Sequence, residues 1–146
     1  MGFATGTENF SSLNKALRAL SHGAAAQTQR LRVVAENMAN AGNHAVDPSV
    51  EPYRRKQINF KSEYDRKIGV DLVKVDKITY DQRPYKSEYK PGHSGANEKG
   101  FVKISNVDFY TEAKDLVEAS QTHEANIKAM ERIYGMLASY IEFLRN

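Results

Sequence analysis

Residues 107–144 read VDFYTEAKDLVEASQTHEANIKAMERIYGMLASYIEFL, and their spacing decides the fold. Phe109, Ala113, Leu116, Ser120, His123, Ile127, Met130, Tyr134, Leu137, Ile141 and Leu144 follow one another in steps that alternate four and three. That alternation is a heptad seam. No proline interrupts it. A helix from Val107 or Asp108 to Leu144 holds about 37 residues and runs about 55 Å at 1.5 Å per residue. Helices in globular domains average about 11–12 residues. A stripe this long needs another long helix to cover it.

The partner within the chain lies at the other end. Leu13, Leu17, Leu20, Ala24, Gln27, Leu31, Val34 and Met38 repeat the same steps, and only Gln27 breaks the apolar run. The pattern predicts a helix from Ser11 or Ser12, either of which can cap it with a hydroxyl, to Asn40. Gly23 weakens such a helix by about 1 kcal/mol relative to Ala. Beside Ala24, Ala25 and Ala26 it also permits close approach of another helix. Ala39-Asn40-Ala41-Gly42-Asn43 ends the segment, and Asn37 and Asn40 are the expected caps. Lys15, Arg18, Arg30 and Arg32 make this helix basic, whereas Glu112, Asp115, Glu118, Glu124, Glu131 and Glu142 make the C-terminal one acidic. Opposite bias favours pairing and helps select register. The C-terminal helix is expected to be about a heptad the longer of the two. Its unmatched Tyr134, Leu137, Tyr140, Ile141 and Phe143 then point to packing between molecules.

Between the helices the period changes. Residues 41–52 form a loop with two prolines. Tyr53 to Lys61 carries Ile58 and Phe60 at strand spacing. Gly69 to Tyr80 alternates Val70, Leu72, Val73, Val75, Ile78 and Tyr80 with charges. Residues 81–100 read as a turn-rich connector, and Phe101, Val102 and Ile104 as a last short strand. The expected class is α+β: long terminal helices paired as a coiled coil, with a small β-rich segment inserted between them. The divisions are a flexible lead (1–10), an N-terminal axial helix (11–42), the β-rich insertion (43–106) and a C-terminal axial helix (107–146).

Composition excludes several functions. The 146 residues include no cysteine, which removes zinc fingers, thiol catalysis and disulfides together. His22, His44, His93 and His123 stand apart in sequence, without metal-ligand spacing. His123 falls in the seam, where a polar residue sets register. The stretch PGHSGANEKG (91–100) lacks the spacings of phosphate-binding loops and reads as a surface turn. No nucleophile elbow or metal-hydrolase motif is present. No catalytic, cofactor-binding or metal-binding residue is therefore expected, and no small-molecule substrate. The net charge of +3 raises nucleic acid as a partner, but Arg54-Arg55-Lys56 is the only run of three like charges, and a solvated strand explains it. No stretch reaches the apolar length of a membrane span. No cleavable leader is visible in the first dozen residues, MGFATGTENFSS.

Two stretches carry a resemblance. One is QRLRVVAENMANA (29–41), followed by Pro52-Tyr53-Arg54-Arg55-Lys56-Gln57. The other runs from Gly100-Phe101-Val102 through Asn106-Val107-Asp108 and Glu118-Ala119-Ser120 to Glu124-Ala125-Asn126. Together they resemble the flagellar basal-body rod protein FlgC family, the proximal rod, over about residues 13–146. The N-x-A-N-A pattern is shared by flagellar axial proteins generally. The Pro52–Gln57 signature and the length point to the proximal rod rather than to another rod or hook protein. The chain departs from the family at His123, where a tyrosine is typical.

The resemblance implies a structural subunit of the torque-transmitting drive shaft, not an enzyme. Its expected partners are copies of itself, other flagellar rod proteins and the flagellar type III export apparatus. Its expected place is the basal body in the periplasm, reached without a cleaved signal peptide. The seam residues expected to carry assembly are Leu13, Leu17, Leu20, Leu31, Val34, Met38, Leu116, Ile127, Met130, Tyr134, Leu137, Ile141 and Leu144. The rival reading, a basic nucleic-acid-binding module, would require Arg54, Arg55 and Lys56 to face a phosphate backbone.

Overall fold

Six elements follow in order in the computed structural model: α1 (Gly2–Ala39), β1 (Lys56–Asp65), β2 (Val70–Tyr80), β3 (Lys86–Tyr89), β4 (Phe101–Ile104) and α2 (Phe109–Arg145). It describes the backbone of residues 2–145 and the side chains of residues 8–145. β1 pairs with β2, and β3 with β4. The class is α+β, with the two long helices at the ends.

α1 starts at Gly2 rather than at Ser11 or Ser12, so the lead expected over residues 1–10 is helical from Gly2; Met1 lies outside the described residues. Nothing between Gly2 and Ser11 breaks a helix in the way proline would. Ser12 is not a cap. Its hydroxyl donates to the Glu8 carbonyl at 2.9 Å, and the Asn14 amide donates to the Phe10 carbonyl at 3.1 Å, both four residues back. With 38 residues in α1 and 37 in α2, the expected heptad overhang does not exist.

The chain forms two compact units. The first comprises Met1–Gln29, Phe60–Asp76 and Ala119–Asn146, within its described part. Here the helices run antiparallel. The His123 ring nitrogen Nδ1 lies 3.2 Å from the Ala24 carbonyl, and a Cβ on Gly23 would stand 3.1 Å from the Asn126 amide. Ala24, Ala26 and Ala119 are buried. The inward residues of α2 are Ala119, His123, Asn126, Met130, Ile133, Leu137 and Tyr140. They keep the four-three spacing, but the face is turned by one residue from the expected set at alternate positions. Ile127, Tyr134 and Ile141 consequently stand outside the contact. The physical reason is the Gly23–Ala24 surface: His123 and Asn126 meet it, and a helix approaches it closely through such slender polar side chains, not through a ridge of Ile and Tyr. Leu13, Leu17, Leu20, Met130 and Leu137 are half-buried, as the seam requires.

In the same unit the β1–β2 hairpin turns through residues 66–69. The Asp65 carboxylate accepts from the Lys67 and Ile68 amides, and the Gly69 amide donates to the Asp65 carbonyl at 2.7 Å. Gly69 has φ 75°, a conformation that a residue with a Cβ adopts at a cost. Leu72 of β2 is buried.

The second unit comprises Arg30–Asn59 and Lys77–Glu118. Its centre is β4. On one side β3 pairs with it antiparallel, Lys86 opposite Ile104 and Tyr89 opposite Phe101. On the other side residues 43–45 join it, the Ala45 amide donating to the Lys103 carbonyl and the Ser105 amide to the Asn43 carbonyl. Val33, Val34, Ala45, Val102 and Val107 form the apolar interior. Leu31, Met38 and Leu116 flank it half-buried. β3 lies inside the segment expected to be a connector. Lys-Ser-Glu-Tyr has no apolar run, and its strand exists because β4 offers it a ladder. The stretch 91–100 forms successive turns, as expected. Asp108 caps α2, accepting from both the amide and the hydroxyl of Thr111 at 2.9 Å.

Candidate functional site

Three segments of the second unit meet under the Pro52–Gln57 signature. The last turns of α1 supply Asn37, which is 1 % exposed, and the first turn of α2 supplies Glu112, which is fully buried. The signature loop fills the space between. The Asn37 amide donates to the Lys56 carbonyl at 2.8 Å and to Glu112 Oε2 at 3.0 Å. Its oxygen accepts from the Lys56 amide and from the Tyr53 hydroxyl, each at 2.9 Å. All four hydrogen-bonding positions of the side chain are therefore filled. Asn37 grips both backbone groups of Lys56 as a neighbouring strand would, so it is no helix cap. Asn40 does close the helix end, donating to the Glu36 carbonyl at 2.8 Å.

The other oxygen of Glu112 accepts from Arg55 Nε at 2.6 Å. The same guanidinium lies 3.6 Å from Asp81 and 3.5 Å from Asp115. The Arg55 amide donates to Asn106 at 2.7 Å, and Asn106 in turn donates to the carbonyls of Asp81 and Arg83. Arg54 donates to the Tyr85 hydroxyl and to the Asp81 and Arg83 carbonyls, with its guanidinium 4.2 Å from the centre of the Tyr85 ring. Lys56 pairs with Glu36. Pro52 is buried, and Gln57 is exposed, with a single 3.5 Å contact to Asp81. The Arg54-Arg55-Lys56 run thus turns to acids and carbonyls of its own chain, and each of its side chains is mostly buried. That geometry argues against the nucleic-acid reading.

The electrostatics follow from these contacts. Burial, with Glu36 and Glu112 nearby, pushes the Tyr53 hydroxyl well above its ordinary range, so it stays a donor to Asn37. The hydrogen bond from Arg83 holds the Asp81 carboxyl below its usual value, helped by the Arg83 and Arg55 charges. The Glu36 contact raises the Lys56 ammonium. Buried charges persist where partners and hydrogen bonds surround them. The result is a polar lock that fixes the end of α1, the start of α2 and the loop in one geometry. It presents no nucleophile beside a base. Among the described residues no cluster of His, Asp and Glu is arranged to hold a metal ion, and no helix is long and apolar enough to cross a membrane.

Sequence reasoning singled out Asn37, Asn40 and the signature loop but missed Glu112, Asp81 and Asn106. Glu112 sits one residue before an expected seam position, where a helical carboxylate reads as solvated. Only Asn106, inside the second resembling stretch, carried a signal.

No family model matches the chain. Individual relatives do. The flagellar basal-body rod protein FlgC of Agrobacterium fabrum is 38% identical over 133 residues, which cover 91% of this chain and 96% of that protein. The chain belongs to the FlgC family. The FlgC protein of Escherichia coli O6:H1 is 37% identical over 77% of this chain and 83% of its own length, and that of Bacillus subtilis 34% over 91% and 96%. In this FlgC-family chain the polar lock joins the two resembling stretches: Asn37 and Arg55 come from the first, and Asn106 from the second.

Proposed function

We propose that this chain is a structural subunit of the proximal rod, polymerising with copies of itself and with other rod proteins through its terminal helices. It transmits torque passively and has no catalytic activity. It works in the basal body where the rod crosses the periplasm, after passage through the flagellar type III export apparatus without cleavage of a signal peptide.

The observation that carries the reading is the outer surface of α2. Tyr134, Met136, Ile141, Phe143 and Leu144 are each more than half exposed. Only Glu142 is charged in the stretch from Tyr134 to Leu144. Tyr134 and Ile141 lie on one flank of the inward stripe and Met136 and Phe143 on the other; exposed apolar strips mark interaction sites, and a continuous helix presents them as ridges that another helix can pack. Of the expected seam residues, Ile127, Tyr134 and Ile141 form the first of these strips at seven-residue spacing, and Leu144, near the helix end in line with Leu137 and Tyr140, is exposed as well. A rod needs contacts that repeat without closing, so each copy must offer two different faces.

The test is complementation of a motile host lacking its own FlgC protein. The unaltered chain is expected in purified basal bodies and restores swimming. The Ile141→Glu, Leu144→Glu double variant, with unchanged circular dichroism, is expected to be exported but absent from basal bodies. Its incorporation at the unaltered level overturns the role of this surface.

A further inference from the structure

Where the chain turns sharply in its loops, a short polar side chain accepts the amide two residues ahead. Asp47 takes the Ser49 amide, Asp65 that of Lys67, Asp81 that of Arg83, Asn97 that of Lys99 and Ser105 that of Val107. None of these acceptors is an imidazole. At one turn among the described residues it is: the Gly95 amide donates to Nδ1 of His93 at 3.0 Å. That bond is open only to a bare Nδ1 nitrogen. A protonated ring has no acceptor to offer.

The surroundings make this bond consequential. Gly95 lies so close to the segment after α1 that a Cβ there would stand 1.9 Å from the Ala45 carbonyl. Ala96 bridges to Val102 of β4. The loop therefore lies over Ala45 and Val102, which are 2 % and 0 % exposed.

The charged and titratable groups that meet His93 come from two elements. His44, from the segment after α1, lies with its ring centre 5.5 Å away at a 35° tilt. From β3 and the residue after it, Glu88 and Lys90 reach that pair: His44 Nε2 is 2.8 Å from Glu88 Oε2, and the Lys90 ammonium is 2.9 Å from the same oxygen and 3.2 Å from His44. The one carboxylate of the cluster is thus engaged by His44 and Lys90. A proton on His93 Nδ1 would meet no carboxylate among the described residues.

We propose that His93 is a pH-operated latch, whose protonation loosens the His93–Gly95 turn from the buried Ala45 beneath it, while the Asn97–Phe101 hydrogen bonds keep the end of the loop on β4. The Asp and Asn turns keep their acceptors across the range in which imidazoles titrate.

The test is hydrogen exchange and imidazole titration on the isotopically labelled full chain from pH 8 to pH 5, corrected for intrinsic exchange. The Gly95 amide is expected to lose roughly tenfold of its protection, the worth of one hydrogen bond, with the same midpoint as the His93 ring. The Lys99 amide, held by Asn97, stays protected. In His93→Asn, which supplies an acceptor that does not titrate, Gly95 protection becomes independent of pH. Three results overturn the proposal: Gly95 protection that persists as His93 titrates, Lys99 protection that falls together with it, or an Asn variant that loses protection at the same pH as the unaltered chain.

Discussion

Replacing Glu112 by glutamine probes the polar lock with almost no change of shape. In the native chain the two carboxylate oxygens serve two donors, Arg55 Nε at 2.6 Å and Asn37 Nδ2 at 3.0 Å. Glutamine keeps one acceptor and turns its amide NH2, a donor, toward the other donor. It also removes the charge facing a guanidinium whose remaining acids, Asp81 and Asp115, stand 3.6 and 3.5 Å off. Breaking a buried pair on one side costs about 3–5 kcal/mol. The retained acceptor and the two farther acids put this case at the lower end, about 3 kcal/mol. Against a total stability of about 5–15 kcal/mol that is a large fraction. With a urea dependence of about 1–3 kcal/mol per molar, the midpoint should fall by about 1–3 M. The assay is urea unfolding followed by circular dichroism, paired with exchange of the Arg55 and Lys56 amides, which the lock holds directly. Replacing both Arg55 and Glu112 by methionine should recover much of the loss, since it leaves no unpaired charge. A Glu112→Gln midpoint within about 0.2 M of native, with both amides still protected, would refute the claim that this network holds the loop.

Two further outcomes follow from the same geometry. Asp81 has its folded pKa depressed below its ordinary 3.8, first by the Arg83 hydrogen bond. Its contribution is therefore fully present above about pH 4 and is lost as pH falls through the lower folded value; Asp81→Asn should flatten that acid limb in urea midpoints measured from pH 7 to pH 2.5. Gly95→Ala places a methyl group 1.9 Å from the Ala45 carbonyl, so backbone must move; thermal melts should show a loss of about 1–3 kcal/mol, and a melt unchanged within error would contradict the close approach.

Particular residues show how far the sequence can be read. The four-three steps of both helices were visible because a heptad repeat is a local, additive pattern: each apolar residue adds to the same stripe regardless of its partner. The register face was not. Whether Asn126 or Ile127 turns inward depends on the width of the surface it meets, and Gly23 and Ala24 belong to a segment distant in sequence. β3 was invisible for a related reason, because four residues of mixed polarity become a strand only when β4 pairs with them. Glu112 looked like a solvated helix acid, and no local pattern distinguishes that from a carboxylate buried beneath an arginine 57 residues distant.

The sequence by itself determined the class, the two long helices, the absence of thiol chemistry and, through its signature stretches, the FlgC family. These rest on composition, period and short motifs, all of which survive without coordinates. Tertiary structure alone decided that the signature arginines turn inward, that Asn37 grips a loop instead of capping a helix, and that Tyr134 and Ile141 remain uncovered. Each of these depends on which distant groups share a small volume, and a buried hydrogen bond or charge is satisfied only by partners that folding brings to within about 3 Å.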